Sequence, residues 1–357
     1  MVKSTDNSNV FRVDNFYKEA ATSTDTQVEE HPDYTEAYDR LRLFSKFATA
    51  VHMGSFITIL VGVSIRMANG SPQLGIAHVG RIASCWGGLQ EDSESFLKDI
   101  AYRSITNEIS SSQGFDRHVT IATLLVTFFL LSAVFQFLFL ISTEHKKSIL
   151  NNRPQWFRYT EYSLSASCMV VAIFISFGML DSYLHVTVFV LTFLCMAIGL
   201  VADYMRFLAL STGADETLQK NIRRVSLGLH YISWIPVLVV WFILWFVVLD
   251  MEIGQEVCQH QTGDDLPSWV WSVLITQFIL FISFGYVQRV QLQKQFHIDY
   301  LRLYKTNLQY NHEFLEPNGS YVAAVVGLQT ETAFLILSVV AKSTLGWIVY
   351  SQVLIFL

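Results

Sequence analysis

Residues 335–350 read LILSVVAKSTLGWIVY and set Lys342 in the middle of an apolar run. Whether that run crosses a bilayer or lies in a soluble core decides the fold. A lysine in hydrocarbon costs roughly 3 kcal/mol by the milder scales, so it needs a partner or a task there. Composition settles the environment: 52% of the 357 residues are hydrophobic, 15% are charged, and the mean hydropathy is +0.37. That is too apolar for a soluble protein of this size and reads as an all-α, polytopic membrane protein. A pI near 5.9, a formal charge of -6 and the lack of a basic stripe with interleaved aromatics exclude nucleic acid as a partner. The partner implied is the lipid bilayer.

Outward from Lys342, the chain holds seven mostly apolar segments, near 47–68, 119–142, 157–180, 183–209, 225–249, 268–288 and 322–356. At 1.5 Å per residue each crosses roughly 30 Å of hydrocarbon. Residues 1–43 are polar, acidic and without apolar period, which predicts a disordered tail with no signal-peptide core. Residues 44–357 then form one seven-helix domain with a long first loop at about 69–118. With six prolines and no tandem period, neither a repeat array nor an inverted-repeat transporter fits.

Short cytoplasmic loops collect Lys and Arg. The second, fourth and sixth loops carry Lys146, Lys147, Arg153, Arg206, Lys220, Arg223, Arg224, Arg289, Lys294, Arg302 and Lys305, and the third and fifth carry none. The fifth, DMEIGQEVCQHQTGDDL (250–266), is acidic instead. An odd number of spans puts the N-terminus in the cytoplasm and the C-terminus outside.

In that topology Glu161, in WFRYTEYSLSAS (156–167), and Lys342 differ in depth by only ~6 Å, which a lysine stem covers. A buried carboxylate and a buried ammonium each require the other, since either alone would neutralise. Ser165 lies one turn beyond Glu161 and Ser338 one turn before Lys342, so both hydroxyls share a face with the charges. One reading is a structural ion pair. Snorkelling is the weaker alternative, because the helix continues roughly 22 Å past Lys342. The functional reading is an amine that forms a Schiff base with a carbonyl ligand and keeps Glu161 as counter-ion. Seven spans with the lysine in the last favour retinal.

Three motifs carry a family resemblance. RYTEYSLSAS (158–167), PSWVWSVLITQFILFISFGYVQ (267–288) and ETAFLILSVVAKSTLGW (331–347) resemble, in order, the third, sixth and seventh spans of heliorhodopsins. These are inverted seven-helix retinal proteins, opposite in orientation to G-protein-coupled receptors and ordinary microbial rhodopsins. The resemblance runs from about Leu41 to the end, apart from much of 70–117. It implies covalently bound all-trans retinal on Lys342, Glu161 as counter-ion, and Ser165 and Ser338 beside the Schiff base. It also implies a cytoplasmic-side polar cluster of His52, Gln136, Arg158, Tyr162, Asp203 and Glu331; a homodimer and a cytoplasmic signalling partner are expected beside it. The chain departs from the family in two places: Gln136 stands where a histidine is usual, and Asp203 where a glutamate is usual. A glutamine neither holds nor releases a proton at ordinary pH.

His52, Gln136, Glu161, Asp203, His230 and Glu331 all fall in the inner halves of their spans, against His185 alone in the outer half. A vectorial pump needs titratable groups on both sides of the Schiff base. The chain therefore reads as a light sensor, with a light-triggered proton channel or transporter as the alternative. A pigment-free structural or receptor protein is the third reading. No P-loop, nucleophile elbow or Cys-His metal set argues for an enzyme.

The stretch 290–312 reads either as a helix on the inner membrane surface or as a cytoplasmic extension of span six. Cys168 and Cys195 lie within spans as small buried hydrophobes, whereas Cys85 and Cys258 fall in outer loops and form the disulfide candidate. Neither NGS site, at Asn69 or Asn318, is expected to be glycosylated.

Overall fold

The computed structural model describes residues 32–68, 114–150, 153–179, 181–211, 216–253, 267–308 and 318–351. Every element there is helical: α1 Pro32–Ala68, α2 Gly114–Ile141, α3 Thr143–Leu150, α4 Trp156–Ser176, α5 Ser182–Ser211, α6 Glu216–Ile253, α7 Ser268–Leu308 and α8 Asn318–Val349. All but the short α3 are long and apolar enough to cross a membrane. The Cys85–Cys258 candidate, Asn69 and residues 69–113 of the expected first loop lie outside the described residues, and 114–118, expected to be loop, belong to α2.

Helix is the only open-chain element that satisfies its own backbone in hydrocarbon, and these segments supply it with apolar residues on every side. Their outward faces stay apolar, as at Phe137, Tyr183, Ile235 and Phe242, which suits lipid rather than water. Neighbours pack α1 on α2, α2 on α4, α4 on α5, α5 on α6, α7 on α8 and α8 back on α1, with a lighter α6–α7 contact. The ring is closed, and α4 is its most enclosed member. The most apolar stretch of α4 is 89% buried, against 22–44% in the other six spans. Phe128, Phe129, Phe174, Leu345 and Trp241 belong to the apolar core around it.

Small residues set two close approaches, since packing rather than water exclusion holds helices together in lipid. A Cβ at Gly346 would collide with the Phe129 ring, and one at Gly62 with the Tyr350 hydroxyl. The α4–α5 turn is tight. Gly178 takes φ 82°, a left-handed conformation natural to glycine, and Asp181 Oδ1 caps α5 by accepting from Tyr183 N at 2.7 Å. His185 donates from Nε2 to the Met179 carbonyl at 2.9 Å across the same turn.

The start of α1 and the place of Arg206 differ from the sequence reading. α1 starts at Pro32, inside the stretch expected to be tail. Proline suits the first helical position, and Glu36 pairs with Arg40 one turn on. Leu41 packs with Ile149, Leu328 and Leu335, a contact that hydropathy along the chain does not show. Of the two readings of 290–312, the extension of span six holds for its described part, since α7 runs unbroken to Leu308. Arg206, counted above as a loop cation, is fully buried within α5.

Candidate functional site

The two charges that the sequence sets at equal depth meet. Lys342 Nζ donates to Glu161 Oε1 at 2.6 Å, and Lys342 and Glu161 are 3% and 0% exposed. Lys342 also lies 5.2 Å from the centre of the Tyr162 ring, a cation–π contact within the same enclosure. Tyr162 in turn donates to the Phe334 carbonyl at 3.0 Å, tying α4 to α8 beside the pair.

α2 supplies the rest of the pair's polar contacts. Lys342 Nζ donates to Ser132 Oγ at 2.6 Å, and Gln136 Nε2 donates to Glu161 Oε2 at 3.2 Å. Ser132 spends its own proton on the Phe128 carbonyl, 2.8 Å away, which leaves its oxygen free to accept. Ser132 and Gln136 are four apart on a helix and so lie on one face. From α7, Gln277 donates to the Ala341 carbonyl at 3.0 Å and steadies the turn that bears Lys342.

From Lys342 a cavity extends between α4, α5, α6 and α7, with Met169, Trp234, Phe281 and Phe284 on its walls. It holds about 790 Å³ of space between atoms, its open mouth included. Ser165 and Ser338 line it near the lysine, both fully buried, and Ser165 Oγ has no hydrogen-bond partner in the protein. Gly285 lies on the wall where a Cβ would run into the Trp234 indole, so that ring rests directly on the α7 backbone. A long apolar body with one reactive polar end suits this shape.

A second, more polar cavity lies beyond Arg158 and Tyr162, which border both. Gln136, His145, Lys146, Arg42 and Glu331 also line it. Arg158 forms a buried ion pair with Glu331, donates to Gln291 Oε1 at 3.2 Å and lies 4.0 Å from the Phe334 ring centre. His145 belongs to α3, outside the spans, where it stacks on Phe139 at 4.3 Å between ring centres. Burial, together with the Arg158 charge, pushes its pKa down to about 4.

Of the residues singled out in the sequence, Lys342, Ser165 and Ser338 line one cavity and Glu161 joins them through Lys342, but the hydroxyl bonded to the lysine is that of Ser132. In the expected inner cluster, Gln136 joins Glu161 and Arg158 joins Glu331. Asp203 instead pairs with Arg206 at 3.1 Å and accepts from Gln155 N at 3.4 Å. His52 is fully buried and makes no side-chain hydrogen bond, and His230 sits against Trp234. Cys168 and Cys195 are free thiols, and Cys195 lines the first cavity. Ser132, Gln277 and Gln291 were missed. The signal for the first was present as polar residues one turn apart in TFFLLSAVFQFLFL (127–140).

A family model described as Heliorhodopsin matches residues 94–304, more than half of the chain. No curated protein matches it.

Proposed function

The chain belongs to the heliorhodopsin family, whose members bind retinal through a Schiff base and sense light, and on that footing we propose that Lys342 is the attachment amine and Glu161 its counter-ion. The observation that carries this is the 2.6 Å contact between the two, with Lys342 lining an aromatic-walled cavity. The family match ends before α8, so the assignment of Lys342 rests on this geometry and on the motif around it.

Bound retinal supplies visible absorption and a light-driven change of shape about one double bond. The protein's own groups do the rest. Glu161 neutralises the cation, Ser165 and Ser338 offer hydroxyls at the polar end, and Trp234, Phe281 and Phe284 exclude water and hold the apolar body in one pose. Arg158 and Tyr162 separate that cavity from the inner one, so a displacement at Lys342 reaches Glu331 and Gln291 through residues already in contact. A two-state shift of these helices, read by a cytoplasmic partner, makes the protein a light sensor.

The proton-channel reading has one observation in its favour. Gln136 touches Glu161 and also lines the inner cavity, which is half of a path across the membrane. Photocurrent recorded over a range of voltages in expressing cells separates the two: silence supports the sensor, and a light-gated, pH-dependent current supports conduction.

The surrounding arrangement is proposed on the same basis. Residues 44–357 act as one retinal-binding domain, with the N-terminus cytoplasmic, the C-terminus outside and a homodimer in the bilayer. The loop basic residues other than Arg206 support that orientation. A Cys85–Cys258 bridge on the outer side would close a loop of well over a hundred residues and add up to about 4 to 5 kcal/mol by the chain-entropy argument. Thiol labelling of unreduced, denatured protein tests it. Adding all-trans retinal to the expressed protein and recording a visible spectrum tests the central reading: colour is expected, and colourless protein overturns it.

A further inference from the structure

We propose that Gln136 is a positioning residue for Glu161: its amide holds the second carboxylate oxygen and thereby sets the pH at which the Lys342 counter-charge is lost. The inference rests on the reading of Glu161 as counter-ion. Glu161 is 0% exposed, and a carboxylate in such a place keeps its charge only as far as donors face it. Among the described residues, its two side-chain donors are Lys342 at Oε1 and Gln136 at Oε2.

These two donors differ in kind. An ammonium has three N–H groups, and a lysine nitrogen tied into a protonated imine has one, for which Glu161 Oε1 and Ser132 Oγ then compete. The Gln136 donor is unaffected by that loss, and it does not titrate. Its orientation is determined too, because a flipped amide would set Oε1 against the carboxylate, acceptor to acceptor. α2 presents Ser132 toward the cation and Gln136 toward the anion from one face, so a single helix rotation fixes both ends of the pair.

The other charged and titratable groups around Glu161 are few. Its own helix carries Arg158 and Tyr162, α8 carries Lys342 and Glu331, and α1 carries His52. α5 carries Asp203 and Arg206, which pair with each other. Arg158 is engaged by Glu331 and Gln291, which leaves Gln136 as the group specific to Oε2.

The test uses the full chain with all-trans retinal, titrated toward acid while the visible band is followed. Protonating the counter-ion moves the band to longer wavelength, and Glu161→Gln should abolish that transition. Gln136→Met keeps the side-chain shape and removes the donor. Its transition should move to higher pH by at least tenfold in proton concentration, about one pH unit for a hydrogen bond to a charged group. Gln136→His, which can donate N–H, should bring the transition back toward the unmodified value. In pigment-free protein, the infrared C=O band lost in Glu161→Gln should appear at higher pH in Gln136→Met than in the unmodified chain. If the methionine variant leaves both midpoints unchanged while Glu161→Gln removes the transition, the role of Gln136 is overturned and the counter-ion stands. If Glu161→Gln retains the transition, the counter-ion assignment itself fails. Should the methionine variant not take up pigment, the infrared midpoint alone decides.

Discussion

Lys342 Nζ and Glu161 Oε1 stand 2.6 Å apart although 181 residues separate them in sequence. Their helices touch lightly along the backbone, so the two side chains make the link by reaching across the bundle centre. Removing one partner of a buried pair leaves the other uncompensated, at a typical cost of about 3–5 kcal/mol.

Lys342→Ala should yield protein that assembles but shows no visible band with retinal, because an imine requires the primary amine. A visible spectrum of purified material decides it, and a coloured alanine variant sinks the assignment.

Glu161→Gln keeps the shape and removes the charge facing the lysine nitrogen. While the imine remains protonated, absorption should move to longer wavelength, and deprotonation with loss of the band should occur at lower pH than in the unmodified protein. Spectra across a pH series read both effects.

Gly285→Ala forces the Trp234 indole off the α7 backbone and into the cavity. Overpacking of this kind costs about 1–3 kcal/mol, so pigment formation should slow several-fold and the band should shift. Gly228→Ala is the control. Its Cβ would meet nothing within 4 Å, and spectrum and regeneration rate should stay as they are.

His145 should make the protein acid-sensitive. Its pKa falls from 6.5 in the unfolded chain to about 4 in the folded one. Between those values the unfolded state binds more protons, so stability is full above about pH 6.5 and declines as pH falls toward 4. The loss is at most about 3 kcal/mol. Thermal unfolding in detergent at pH 7 and pH 4.5 measures it. His145→Phe, which preserves the stack on Phe139, should flatten the difference, and an equal drop in both proteins rejects the assignment.

The helical, membrane-spanning class was legible because spans are long and every one needs apolar residues throughout. The same reasoning located Lys342 and Glu161, since charges stand out against such runs and 1.5 Å per residue fixes their depth. It failed where polarity alone was the guide. Arg206 looked like a loop cation because it lies near a span end, yet Asp203 three residues earlier holds it inside. The start of α1 looked like tail because that stretch is polar, although one of its faces packs on α3 and α8.

What the sequence by itself determined is therefore periodic and one-dimensional: the number of spans, and the matching positions of Lys342 and Glu161 along theirs. Which partner each group takes depends on helix rotation and on which helices become neighbours, and neither is written into local composition. Ser132 and Gln136 illustrate the limit. Their spacing puts them on one face of α2, but only the packing of α2 against α4 and α8 turns that face toward Lys342 and Glu161. Gly346 is part of that packing, since a Cβ there would collide with the Phe129 ring of α2.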